Sequence, residues 1–124
     1  MKRIIQKFDQ DKQAKIILTL IAALGIFLFS SIPGSKGPST GFSFIPIAYH
    51  LLAFTIFGFF LFSSIKENPT KRHFLIALIV AIMYGILDEM HQIFVPLRNP
   101  SLLDVGIDFA GALIGTTTYY KIKY

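Results

Sequence analysis

The sequence predicts an all-α integral membrane protein, polytopic, with four transmembrane helices and both termini inside. Two observations carry this expectation. The 124 residues are 53% hydrophobic and only 15% charged, with a mean hydropathy of +0.60, too apolar for an ordinary small soluble domain. The Lys and Arg residues also fall between apolar runs and gather on one side of them. Residues 1–124 therefore read as a single membrane domain, multi-pass in the cell membrane.

The first span is residues 16–32, IILTLIAALGIFLFSSI, an uncharged run behind Lys15. It crosses a hydrocarbon layer that takes about 20 residues with slight shortening. The MKR at the start also suits a signal peptide. No small-x-small cleavage site precedes the next apolar run, however, and Pro33 breaks the pattern, so an uncleaved helix is expected. The second span is 42–65, closed by the polar loop KENPTKR. The third is 74–94 and runs through the cluster DEMHQ, and the fourth is 102–120, ending before KIKY.

Lys and Arg orient these spans. The first fifteen residues hold five of them, the 66–72 loop three and the tail two, against one each in the 33–41 and 95–101 loops. Positive charge marks the inner side, so PGSKGPSTG and VPLRNPS face outward. Because the net charge of +5 comes from these flanks and not from one basic face, no nucleic-acid partner is expected. The chain has no cysteine, which excludes disulfides, thiolate metal sites and cysteine nucleophiles.

Four of the seven acids lie between residues 88 and 108, in the outer ends of the third and fourth spans. If these two helices form a hairpin turning at Arg98, Asp88 comes level with Asp108, and His91 and Gln92 with Asp104. Asp104, Asp108, Gly111 and Gly115 share one stripe of a helix of 3.6 residues per turn. Ala77, Ala81, Tyr84, Asp88 and His91 make a matching stripe, small residues inward and polar ones outward, so small faces small and polar faces polar. Gly111 and Gly115 form a GxxxG pair that lets another backbone approach. His50 enters from the second span about 12 Å below its outer start, near the same layer. Glu89 lies about 100° around the helix from Asp88, so the stripe does not fix its direction.

An ionisable group near mid-membrane costs on the order of 2.5–3.5 kcal/mol, so such a cluster marks either a site or a structural feature, a buried network that sets helix register or interfacial polar ends that reach water. Both readings stand for this cluster. Arg98 serves as an interfacial anchor or meets a phosphate or carboxylate headgroup. His73 reads as an ordinary residue of the basic inner loop, and Tyr84 as a packing residue whose hydroxyl finds a partner. Ser30 and Ser31 lack a G-x-S-x-G context for a nucleophile. Asp, Glu and His can ligate a divalent metal, but without HExxH or fixed spacing no metal ligand is assigned and no cofactor is required.

The stretch YGILDEMHQIFVPLRNPSLLDVGIDFAGALIG resembles the signature half of the VanZ-like membrane proteins, named for a teicoplanin-resistance factor. Asp88-Glu89, His91-Gln92, Pro96, Arg98, Ser101, Asp104, Asp108 and the glycine-bearing last helix carry the resemblance. FSSIP at the end of the first span and His50 are family-like too. The family often has an Asp-Lys pair just before this histidine, where the present sequence reads PIAYH, which leaves Arg98 as the nearest obvious cation. The resemblance implies a cell-envelope setting and a bearing on glycopeptide antibiotic susceptibility.

The expected function is general acid–base chemistry on an envelope lipid or lipid-linked headgroup in an outward-facing pocket. Asp88 or Glu89 with His91 or His50 would move the proton, and Asp104 and Asp108 would orient a histidine or hold a cation. Arg98, Gln92 and Tyr84 would bind substrate. A non-catalytic lipid-binding or immunity module is the alternative. A small proton-coupled transporter is a third reading, disfavoured because the charges stop in the outer half. Membrane lipids are the expected partners, with a lipid-linked envelope precursor among them and homo-oligomerisation open.

Overall fold

A computed structural model describes residues 2–34, 44–65 and 67–124. They form five helices, α1 (Lys2–Gln10), α2 (Lys12–Ser30), α3 (Phe44–Ile65), α4 (Lys71–Gln92) and α5 (Leu102–Lys123), with no strand among the described residues. The expected outer loop 33–41 lies outside the described residues from position 35 onward, as do positions 42 and 43 at the expected start of the second span. Helices α2 to α5 correspond to the four expected spans, while α1 was not anticipated.

Asp11 separates α1 from α2. Its carboxylate accepts the Ala14 amide at 2.9 Å, an N-cap that starts a new helix where the first one ends. α4 starts at Lys71, three residues earlier than expected, because Thr70 and His73 cap it. The His73 ring Nδ1 accepts the Thr70 amide at 3.1 Å, so His73 belongs to the first turn of a helix and not to a loop. α4 ends at Gln92, two residues early, where tight i→i+3 turns take over: the amides of Ile93, Phe94 and Val95 reach back to Met90, His91 and Gln92.

The bundle is apolar outside and polar at selected points inside. Ile17, Leu20, Ile21 and Leu24 of α2, and Ile79, Met83, Leu87 and Met90 of α4, all stand exposed. So continuous an apolar exterior suits hydrocarbon and not water. α2, α3 and α4 are each long and apolar enough to cross a membrane. α5 falls outside that set, since its two aspartates, three glycines, three threonines and two tyrosines dilute its hydropathy.

Those small residues explain why α5 is nonetheless the best-packed helix. A side chain at Gly115 would collide with the Thr55 carbonyl, one at Gly111 with the Leu51 carbonyl, and one at Gly58 would come within 2.6 Å of the Ala112 carbonyl. The glycine stripe of α5 thus lets it lie directly on α3. This corrects the expected small-on-small contact with α4: Ala77 and Ala81 pack instead in two clusters, with Phe62 and Tyr119 and with Phe54, Phe57 and Ala112. Glycines permit close approach by any backbone, and α3 is the one that takes it.

Candidate functional site

His50, Asp88, Glu89, Asp104 and Asp108 all lie at the end of the bundle formed by the C-termini of α2 and α4 and the N-termini of α3 and α5. His50 Nδ1 is 2.7 Å from Asp108 Oδ1, and both side chains are almost wholly buried. Since the carboxylate accepts, Nδ1 carries the donated hydrogen and Nε2 is the ring nitrogen left for other work. The second Asp108 oxygen has no hydrogen-bond partner although the residue is 0% exposed. A side chain at Gly85 would come within 3.0 Å of it, so Gly85 is what admits Asp108 to the α4 surface.

Glu89 completes this group. It is 6% exposed, and a ligand atom of His50, of Glu89 and of half-buried Asp104 all lie within 4.8 Å of one another. Ser101, the N-cap of α5, donates its amide to Glu89 Oε2 at 2.8 Å. The hairpin therefore sets Glu89 against Asp104 and Gly85 against Asp108, turning about Pro96 and Leu97. The expected pairing of Asp88 with Asp108 and of His91 with Asp104 is corrected by about one helical turn. The tight turns after Gln92 shorten the approach from the α4 side.

Asp88, Tyr84, His91 and Gln92 face α2 instead. Ser30 Oγ donates to Asp88 Oδ1, and Gln92 Nε2 donates to Asp88 Oδ2 at 3.1 Å and lies 3.4 Å from Glu89 Oε1. Tyr84 donates its hydroxyl to the Ala23 carbonyl. His91 Nε2 sits 2.9 Å from Ser31 Oγ with its ring 4.7 Å from that of Phe27. His91 is thus removed from the carboxylate group it was expected to join. The stripe Tyr84–Asp88–His91 is real as a stripe, but a helix with neighbours on two sides presents it to α2, and the turn of about 100° carries Glu89 to α3 and α5.

Arg98 is an anchor. Its Nε donates to the Ile32 carbonyl at 2.8 Å and an Nη to the Phe29 carbonyl at 3.0 Å, satisfying the C-terminal end of α2. The same connection is pinned by the Gly34 amide on the Pro96 carbonyl at 3.0 Å. Leu97 there has φ 61°, a left-handed conformation uncommon for a branched residue.

Sequence reasoning passed over Ser30 and Ser31 as polar partners, testing them only as nucleophiles. The available signal was a serine pair closing an otherwise apolar helix. It also missed a second polar group at the opposite end of the bundle. There Asp9 binds Lys123 Nζ at 2.9 Å, accepts the Tyr119 hydroxyl and lies 3.5 Å from Lys15 Nζ, which is 2% exposed and donates to the Asp9 carbonyl at 2.7 Å. A cavity of about 610 Å³ opens beside this group, lined by Phe8, Leu18, Phe59 and Phe60 among others. It is far from the histidine and carboxylate cluster and carries no reactive constellation.

An apolar exterior around a buried His-carboxylate group defines a helical membrane protein with a polar site near one end. Comparison with known families then gives the particular assignment: residues 4–123 match the VanZ/LLP1 family, and the chain belongs to it. Neither a curated protein nor a solved structure matches.

Proposed function

We propose that the chain crosses the membrane four times with both termini inside, and that the His50, Glu89, Asp104 and Asp108 group opens outward to act on a cell-envelope lipid or lipid-linked headgroup. The His50–Asp108 pair carries this reading. A buried acid that fixes one ring nitrogen leaves the other to take and return a proton, and two further carboxylates stand beside it. Glu89 or Asp104 would share the proton work, and the N–H groups of Arg98 not spent on α2 carbonyls would meet an anionic headgroup. Asp88 acts as a positioning residue, through Gln92, on Glu89.

The fourth crossing is supported by length. Each of α3, α4 and α5 has 22 residues, about 33 Å at 1.5 Å per residue against a hydrocarbon core of about 30 Å. Because these 124 residues include no cysteine, a single Asn99→Cys substitution labelled by an impermeant maleimide on intact cells reads the topology directly. Labelling only after permeabilisation would reverse the orientation.

A non-catalytic binding or immunity module is the second reading, favoured by the way Glu89 and Asp88 are already held by Ser101, Ser30 and Gln92. Comparative lipidomics of cells expressing the intact chain or His50→Gln separates the two. A lipid species that changes only with the intact, inserted protein supports chemistry. An unchanged lipid profile with glycopeptide susceptibility still dependent on His50 leaves binding alone.

A further inference from the structure

We propose that His50, Glu89 and Asp104 form a site for a divalent cation of the Zn²⁺ and Mn²⁺ class, with Asp108 as the acid behind the histidine ligand. Three features support it. One nitrogen and two carboxylate oxygens already lie within 4.8 Å of one another, on three different helices. Ions of this class bind at about 2.0–2.2 Å from such atoms, so the ligands need draw in by no more than about 1.5 Å, a matter of side-chain rotation.

The second feature is the Asp108 contact. Metal-binding histidines characteristically donate their other ring N–H to a carboxylate, which fixes the tautomer and makes the free nitrogen a better ligand. His50 has that arrangement, with Nδ1 on Asp108 and Nε2 left over.

The third is charge. Asp88, Glu89, Asp104 and Asp108 gather at this end, yet among the described residues the only Lys or Arg there is Arg98, and it donates to the Phe29 and Ile32 carbonyls. No Lys or Arg pairs with any of the four acids among the described residues. Asp108 keeps one wholly buried oxygen without a donor. In a surround this apolar a cation supplies what neutral donors do not. The inference stands apart from the lipid reading, because a cation site is equally compatible with catalysis and with headgroup binding.

The test uses the full chain, purified without a polyhistidine tag into nanodiscs, stripped with a chelator and titrated with Zn²⁺ and with Mn²⁺. Bound metal is read by elemental analysis after gel filtration and by calorimetry. One ion per chain is expected, with affinity down at least about tenfold in Glu89→Gln and Asp104→Asn and by about 10–100-fold in Asp108→Asn. His91→Gln, which lies off the group, should bind as the intact chain does. Since a variant can fail to insert, the melting temperature of the intact protein is measured with and without each ion, and a rise is expected. Failure of the intact chain to retain either ion, with no change in melting temperature, overturns the proposal, as does full retention by both Glu89→Gln and Asp104→Asn.

Discussion

His50 and Asp108 lie 58 positions apart in the chain and meet at 2.7 Å in the interior of the bundle, one from α3 and one from α5. The contact depends on α5 lying directly on α3, which the glycine stripe allows. Asp108→Asn should weaken it without removing the acceptor: the new amide group has no partner beside Gly85 and costs about 1–3 kcal/mol as an unsatisfied buried donor. Unfolding in mixed micelles should show that loss, and a variant as stable as the parent would argue that water reaches the site.

The helix contact itself is tested by two glycines. Gly115→Ala places a methyl group against the Thr55 carbonyl and the Phe59 amide, and overpacking of this kind costs about 1–3 kcal/mol. Gly25→Ala meets nothing within 4 Å and should be neutral or stabilise by about 0.5–1 kcal/mol, through helix propensity alone. Melting temperatures moving in the same direction for both would contradict the assigned packing.

The two histidines at the polar end should separate cleanly. His50→Gln is expected to abolish whichever phenotype the intact chain confers, in lipid composition or in glycopeptide susceptibility. His91→Gln loses only the Ser31 hydrogen bond and its contact with Phe27, so the phenotype should persist at normal protein level. Equal loss in both variants, at equal abundance on an immunoblot, would return His91 to the site.

At the opposite end, burial works to raise the Asp9 carboxyl. Hydrogen bonds from Tyr119 and Lys123, with the charges of Lys123 and Lys15, outweigh it and hold the group below its ordinary value near 3.8. A carboxyl depressed in the folded state stabilises above its unfolded value, and that contribution is lost as pH falls through the lower folded one. Asp9→Asn should therefore lower the melting temperature at neutral pH and narrow its gap from the parent in acid. A gap that is constant from pH 7 to pH 3 would show that the ion pairs contribute nothing to folding.

The lengths of the apolar runs and the placement of the acids made the helices and the polar end legible in the sequence. What it did not give was direction. Asp88 and Glu89 are adjacent, and the spacing of Tyr84, Asp88 and His91 identifies a stripe without saying that α2 is what it meets. Likewise Gly111 and Gly115 announce a close backbone but not that the backbone is α3. The register slipped because helix termination at Gln92 depends on turns folded onto the end of α2, a tertiary matter. α1 was hidden in a basic segment read only for its charge, and Asp9 has no local pattern to betray its three partners.

α2 is pegged along one side. Lys15 holds its start to Asp9, the Tyr84 hydroxyl catches the Ala23 carbonyl midway, and Ser30, Ser31 and the carbonyls of Phe29 and Ile32 are fastened at its finish. Its outward residues Ile17, Leu20, Ile21 and Leu24 bear no polar fastening at all. The helix is therefore a rail seated by hydrogen bonds together with the packing of Ala22, Ala23 and Ile26 in the core. Its lipid face can exchange one aliphatic residue for another freely, while a single lost peg loosens the wall against which Asp88 rests.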